Sequence, residues 1–146
     1  MYPLSNGIWC QVVIGSGAKT GSLCLDIRKY TVSKQKLIPN RQEGVTIPQS
    51  VWREIVDLLD PIEKALEEKE IFKKEFCLSE KNYIIIEVNI FKEKAYLDIR
   101  DYYTPKGEEE LRPTKRGCKF SKEGFAKLRV VSEDVDGDFK VLKAFN

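Results

Sequence analysis

A six-residue run, Leu25-Asp26-Ile27-Arg28-Lys29-Tyr30, returns with one change as Leu97-Asp98-Ile99-Arg100-Asp101-Tyr102. The likeness continues downstream. Pro39, Arg41, Gly44, Ile47, Trp52 and Ile55 follow the first copy in the order in which Pro113, Lys115, Gly117, Phe120, Phe125 and Leu128 follow the second. Leu25 to Leu97, Gly44 to Gly117 and Pro39 to Pro113 are separated by 72, 73 and 74 residues, a drift that small loop insertions explain. Two copies fall below the number that solenoids need, so a closed pair is the better reading. The 146 residues divide into modules 1–70 and 71–146. A module of roughly 65 residues buries little apolar surface alone, and a four-stranded sheet with one helix leaves a face and edges uncovered. The expectation is an α+β fold of two tandem ββββα modules, with antiparallel sheets covering each other as an intrachain pseudo-dimer. Fusion makes that association intramolecular, so the chain is expected to be a monomer.

Each copy reads as strands followed by a helix. In the first, Ile8–Ile14 is rich in Val and Ile, and Leu25 and Ile27 alternate with Asp26 and Arg28 over 23–30. Residues 34–38 predict a third strand stopped by Pro39, and 44–47 a short fourth. Pro48 suits the start of a helix, where its missing N–H has no partner to lose. Val51, Ile55, Leu58, Ile62 and Leu66 then give that helix one apolar stripe, with Pro61 set to kink or break it. In the second copy, 83–91 and 94–103 predict strands joined tightly at Lys92-Glu93, and residues 71–78 a strand linking the copies. Thr104-Pro105-Lys106-Gly107 predicts a turn, and Ser121 caps a helix bearing Phe125, Leu128 and Val131. Asp136-Gly137-Asp138 is expected to end that helix and leave an apolar tail, 139–145, docked elsewhere. Trp52 and Phe125 are assigned to packing between helix and sheet.

Composition narrows the function. There is no histidine, which removes the commonest general base and transition-metal ligand. Cys10, Cys24, Cys77 and Cys118 stand too far apart for a zinc pair and read as free thiols, so no metal or cofactor is expected. There is no Gly-rich phosphate loop and no nucleophile motif, which argues against an enzyme. No apolar run approaches the roughly 20 residues that cross a bilayer, and no secretory signal opens the chain, so an intracellular protein without a membrane partner is expected. Net charge is only +2, but residues 112–129 carry Arg112, Lys115, Arg116, Lys119, Lys122, Lys127 and Arg129 against Glu123 alone. That run is either a polyanion-binding surface or a solvated lysine-rich face.

The motif Leu-Asp-Ile-Arg-acidic-Tyr-aromatic, the Pro-Gly turn, Pro-x-basic-basic-Gly and a helix with an early aromatic resemble the transcriptional coactivator family typified by positive cofactor 4. The second copy carries the resemblance best, through Asp98, Ile99, Arg100, Tyr102, Tyr103, Lys106, Gly107, Pro113, Lys115, Arg116 and Gly117. The resemblance implies curved sheets whose ridges bind single-stranded DNA with little sequence preference, in transcription, replication or repair. It implies stacking rings at Phe91 and Tyr103, which align with Lys19 and Thr31 in the first copy. It also implies phosphate contacts from Lys94, Arg100, Lys115 and Arg116, which align with Ser22, Arg28, Arg41 and Gln42.

Physical chemistry points the same way. Phe91 and Tyr103 beside Lys92, Lys94, Arg100, Lys115 and Arg116 would offer flat faces next to phosphate contacts, which suits unpaired bases. No helix carries a cluster of Arg, Asn and Gln at its start, so major-groove readout is not expected. The candidate nucleic-acid-binding set is Phe91, Lys92, Lys94, Arg100, Tyr103, Lys115 and Arg116, with Lys19, Arg28 and Arg41 from the weaker first copy. Expected partners are single-stranded DNA, RNA as well, and the transcription machinery, with a nuclear location if the source is eukaryotic. Two alternatives stand beside this: Arg28 and Arg100 form cross-strand pairs with Asp26 or Asp98 neighbours instead, or the chain is a protein-interaction scaffold that has lost nucleic-acid binding.

Overall fold

The computed structural model describes residues 1–145, leaving aside the side chain of Ala18. The first antiparallel sheet contains β1 (Tyr2–Pro3), β2 (Ile8–Ile14), β3 (Leu23–Ser33) and β4 (Lys36–Pro48) in sequential order, followed by α1 (Gln49–Val56) and α2 (Leu59–Glu68). The second contains β5 (Phe72–Cys77), β6 (Asn82–Phe91), β7 (Lys94–Tyr103) and β8 (Arg112–Phe120), followed by α3 (Lys122–Ala144). The duplication is written into the hydrogen-bond register. β3 pairs with β4 up to Arg28↔Gly44 and resumes at Tyr30↔Pro39, while β7 pairs with β8 up to Arg100↔Gly117 and resumes at Tyr102↔Pro113. Residues 40–43 and 114–116 thus bulge at the same place in each half, opposite Lys29 and Asp101. Such a bulge bends the strand and raises its twist.

One hydrophobic core serves both halves. Leu25, Ile27, Ile47, Trp52, Ile55 and Ile62 belong to the same buried cluster as Ile84, Ile86, Leu97, Ile99, Phe120, Phe125 and Phe139. The helices are exchanged across it: α2 packs on β6 and β7, and α3 on β2 and β3, while β4 runs against β8. Arg129 of α3 reaches Asp60 and, at 3.0 Å, Glu63 of α2. Each apolar sheet face is therefore covered partly by a helix of the other half, as the marginal size of one module requires. Trp52 and Phe125 are fully buried, as assigned.

Four local expectations change. The third and fourth strands foreseen in the first copy are one strand, β4, and Lys34 lies instead in the turn before it. Pro39 does not stop that strand, because β4 is the edge of its sheet, where a missing N–H breaks no ladder. The turn itself, Lys34-Gln35, has both residues at positive φ (51° and 64°), the geometry of a two-residue hairpin, without its usual Asn or Gly. The helical stripe of the first copy breaks at Asp57-Leu58, four residues ahead of Pro61, whose ring would collide with the Asp57 carbonyl in a continuous helix. Finally, α3 runs through Asp136-Gly137-Asp138 to Ala144. Val135 and Phe139 are buried on one side of that stretch, and their burial at about 1.5–3 kcal/mol each outweighs about 1 kcal/mol for a helical glycine. The short strand β1 was not foreseen. Its Tyr2 donates a 2.7 Å hydrogen bond to Asp138 and so ties the chain start to α3.

A merged core predicts one cooperative unfolding transition by fluorescence and circular dichroism alike. A Cβ on buried Gly117 would stand 2.8 Å from both Arg100 Cζ and the Ile99 carbonyl oxygen. Gly117→Ala is therefore expected to cost about 1–3 kcal/mol in urea unfolding, and an unchanged midpoint would mean that the two strands are not this close.

Candidate nucleic-acid interface

The repeated Asp-x-Arg builds the same device twice. Arg100 donates through Nε and Nη2 to the two carboxylate oxygens of Asp98 (3.0 and 2.9 Å) and through Nη1 to the Thr114 carbonyl (3.0 Å). Arg28 does the same with Asp26 (3.2 and 3.1 Å) and with the carbonyls of Asn40 and Arg41 (2.6 and 3.1 Å). Only the planar guanidinium fork can make this three-point contact. Hydrogen bonding to Asp98 holds the Arg100 pKa above its ordinary value, so the charge is permanent. Each arginine thus pins the bulge of the neighbouring strand. In the second half, Thr114 accepts from the Arg116 N–H (3.0 Å) and donates to the Asp101 carbonyl (2.8 Å). The pinned loop presents Lys115 and Arg116 to solvent.

Strand alternation then builds a face. Phe91↔Lys94, Asn89↔Tyr96, Glu87↔Asp98 and Ile85↔Arg100 share one side of the sheet, on which Ile85 and Asp98 are buried, while Val88↔Leu97 and Ile86↔Ile99 pair on the other, into the main core. On β8, Lys119 lies opposite Asp98 and is exposed. Phe91 is 61% exposed, with Lys92 Nζ 5.4 Å from its ring centroid. This face runs into a groove of about 670 Å³ between the halves, lined by Tyr96, Arg100, Lys115 and Lys119 on one side. Asn6, Lys29, Asn40, Gln42 and Glu43 line the other. Four cations against one carboxylate among the lining residues make it an anion-attracting channel, with Tyr96 as its one aromatic lining residue.

Residues 78–131 match the family model described as Transcriptional Coactivator p15 (PC4). That segment, which lies within the second half of the chain, is similar to the PC4 family domain. A Caenorhabditis elegans protein described as "Putative RNA polymerase II transcriptional coactivator" is 33% identical over 52 residues, covering 36% of this chain and 42% of the relative. The chain thus spans less than half the length of that relative. The PC4 match contains β6, β7, β8 and the start of α3, and so holds Phe91, Lys92, Lys94, Arg100, Tyr103, Lys115 and Arg116.

Within the matched segment the structure brings Phe91, Lys92, Lys94, Arg100 and Lys115 to one face and groove. It does not bring Tyr103 there. Tyr103, 40% exposed, pairs with Asn82 at the opposite end of the β6–β7 hairpin from Phe91↔Lys94. That end lies about 30 Å away at ~3.3 Å per strand residue. Arg116 and Arg28 belong to a second groove, of about 430 Å³, together with Lys19, Thr46, Tyr83, Asp101 and Tyr102. Arg41 is exposed on the first bulge. Lys19 does not stand where Phe91 does: Gly15 takes that strand position, its N–H donating to Ser22 (2.8 Å) as the register from Ile14↔Leu23 requires. A Cβ on Gly15 would meet the Lys19 carbonyl at 2.5 Å, so the intervening loop has filled the place of a ring.

Sequence reasoning missed Tyr96 and Lys29, and left Lys119 in a charge run. Counting back by twos from Arg100 along β7 would have found Tyr96; Lys29 needed the contact between halves. Of the four thiols only Cys77 is exposed, and burial pushes Cys118, at the seam beneath the groove, up to about 12. Arg100→Lys keeps the charge but loses the fork. It is expected to cost about 1–3 kcal/mol in stability and to speed amide exchange at 115–117; wild-type protection there would contradict the pinning role.

Proposed function

We propose that this chain binds single-stranded nucleic acid, DNA foremost and RNA as well, with little sequence preference, and serves as a transcriptional coactivator without enzymatic activity. The observation that carries the reading is the exposed Phe91 ring beside Lys92 and Lys94, on the face that continues past Tyr96 and Lys119 into the groove at Lys115. A flat ring takes the face of an unpaired base, which a duplex keeps stacked, and stacking is worth about 1–3 kcal/mol per base. The lysines, spaced along the same face, meet the phosphates between successive bases. Arg100 acts here as a positioning residue: its fork is already occupied by Asp98 and Thr114, so it shapes the groove and adds its charge. Tyr103, with Arg112 opposite it on β8, shares the side of β7 that carries Leu97 and Ile99, so it adds little to a strand lying on the face of Tyr96. The PC4 match and the name of the C. elegans relative support the setting in transcription. We place the protein in the nucleus of a eukaryotic source, as a monomer whose halves take the place of two subunits.

Fluorescence anisotropy with an oligo-dT of about 20 nucleotides tests this. Log affinity should fall with log salt at a slope near −0.7 per phosphate contact, so about −3 for four contacts. Phe91→Ala should weaken binding about tenfold, and Tyr103→Ala by less than about threefold. Unaltered binding by Phe91→Ala would refute the stacking account, and duplex competing as well as single strand would refute the preference. Absence of binding at low salt would leave the shared fold as a protein-interaction scaffold.

A further inference from the structure

The two grooves between the halves are related by the pseudo-twofold axis of the sheets, yet they are chemically unequal. Arg100 in the larger groove takes the place of Arg28 in the smaller, and Asn6 that of Asn82. Two other pairs break the symmetry. Lys29, opposite the first bulge, becomes Asp101 opposite the second, and Lys119 of β8 becomes Thr46 of β4. The loop between β2 and β3, which has no counterpart at the tight Lys92-Glu93 turn, then lays Lys19 into the smaller groove. Lys19 Nζ lies 3.1 Å from Asp101 Oδ1, with side chains only 10% and 14% exposed. Arg116 Nε lies 3.4 Å from the other carboxylate oxygen.

We infer that the molecule accepts one nucleic-acid strand, in the Lys29–Lys119 groove alone, because the Asp101 carboxylate occupies the other groove as a built-in anion. This rests on the reading of the chain as a single-strand binder. A phosphate entering the smaller groove would find Lys19 and Arg116 already committed to Asp101 and would have to displace that carboxylate from them. The larger groove also holds a carboxylate, Glu43, but it accepts from Asn40 at 3.0 Å, and among the described residues no ion pair ties Lys29 or Lys119 to it.

Native mass spectrometry of the full chain with excess oligo-dT of about eight nucleotides reads this directly. One strand per chain is expected at saturation; two strands on the wild type would overturn the inference while leaving the single-strand reading intact. Lys29→Glu with Lys119→Glu should weaken binding by about tenfold or more and reduce the salt slope by about 1.4, whereas Lys19→Ala should change affinity by less than about twofold. Equal losses from the two variants would also overturn it. Lys19→Ala with Asp101→Lys, which frees the smaller groove of its carboxylate and restores the counterpart of Lys29, should admit a second strand. If the charge-reversed variant fails to fold by circular dichroism, the wild-type stoichiometry decides alone. No strand bound to the wild type at low salt would overturn the single-strand reading and this inference together.

Discussion

The structure turns on a guanidinium held at three points. In each half an Asp-x-Arg pair on the middle strand reaches over a glycine, Gly44 or Gly117, to hold the carbonyls of a bulge on the next strand. The glycine is required because any Cβ there would overlap the arginine side chain. The bulge is required because it carries the outward cations and bends the strand toward the other half. The buried Asp26 and Asp98 are tolerable because each is neutralised and hydrogen-bonded by its arginine. Arginine, aspartate, glycine and bulge form one unit, and its repetition at nearly constant spacing is the signature that opens the sequence.

That unit also explains how two undersized modules share one molecule. The bulges bring β4 against β8, with the protonated Cys118 thiol directed at the Ile27 carbonyl 3.5 Å away. The exchanged helices close the core from both sides. Once the interior is common to both halves, the outer grooves are free to diverge, because neither is needed for folding. The first half has done so at Gly15, where a loop has replaced a ring, and at Lys19, which serves an internal ion pair.

The duplicated architecture was legible because a repeat in sequence demands a repeat in structure, and because the apolar periodicity of strands and helices was intact. The candidate site was legible where it followed strand alternation and fixed motifs, as at Phe91, Lys94 and Arg100. It failed where tertiary placement decided. Tyr103 sits one motif away from Arg100 in sequence but at the far end of the hairpin from Phe91 in space. Lys19 was misaligned because the offset of the β3 motif does not hold across the preceding loop. The Lys34-Gln35 turn gave no signal, since neither residue announces a left-handed backbone. Gly137 gave a false stop, since local propensity lost to the burial of Val135 and Phe139.

The proposed function requires a strand to lie on the β6–β7–β8 face of the second half and in the groove beside it. Backbone amide chemical-shift mapping during titration with oligo-dT measures this most directly. Shifts are expected to concentrate at residues 91–96, 115–119 and Lys29, with α3 beyond Val131 silent. Shifts centred on 16–19 and Arg28, or spread along the outer side of α3, would contradict it.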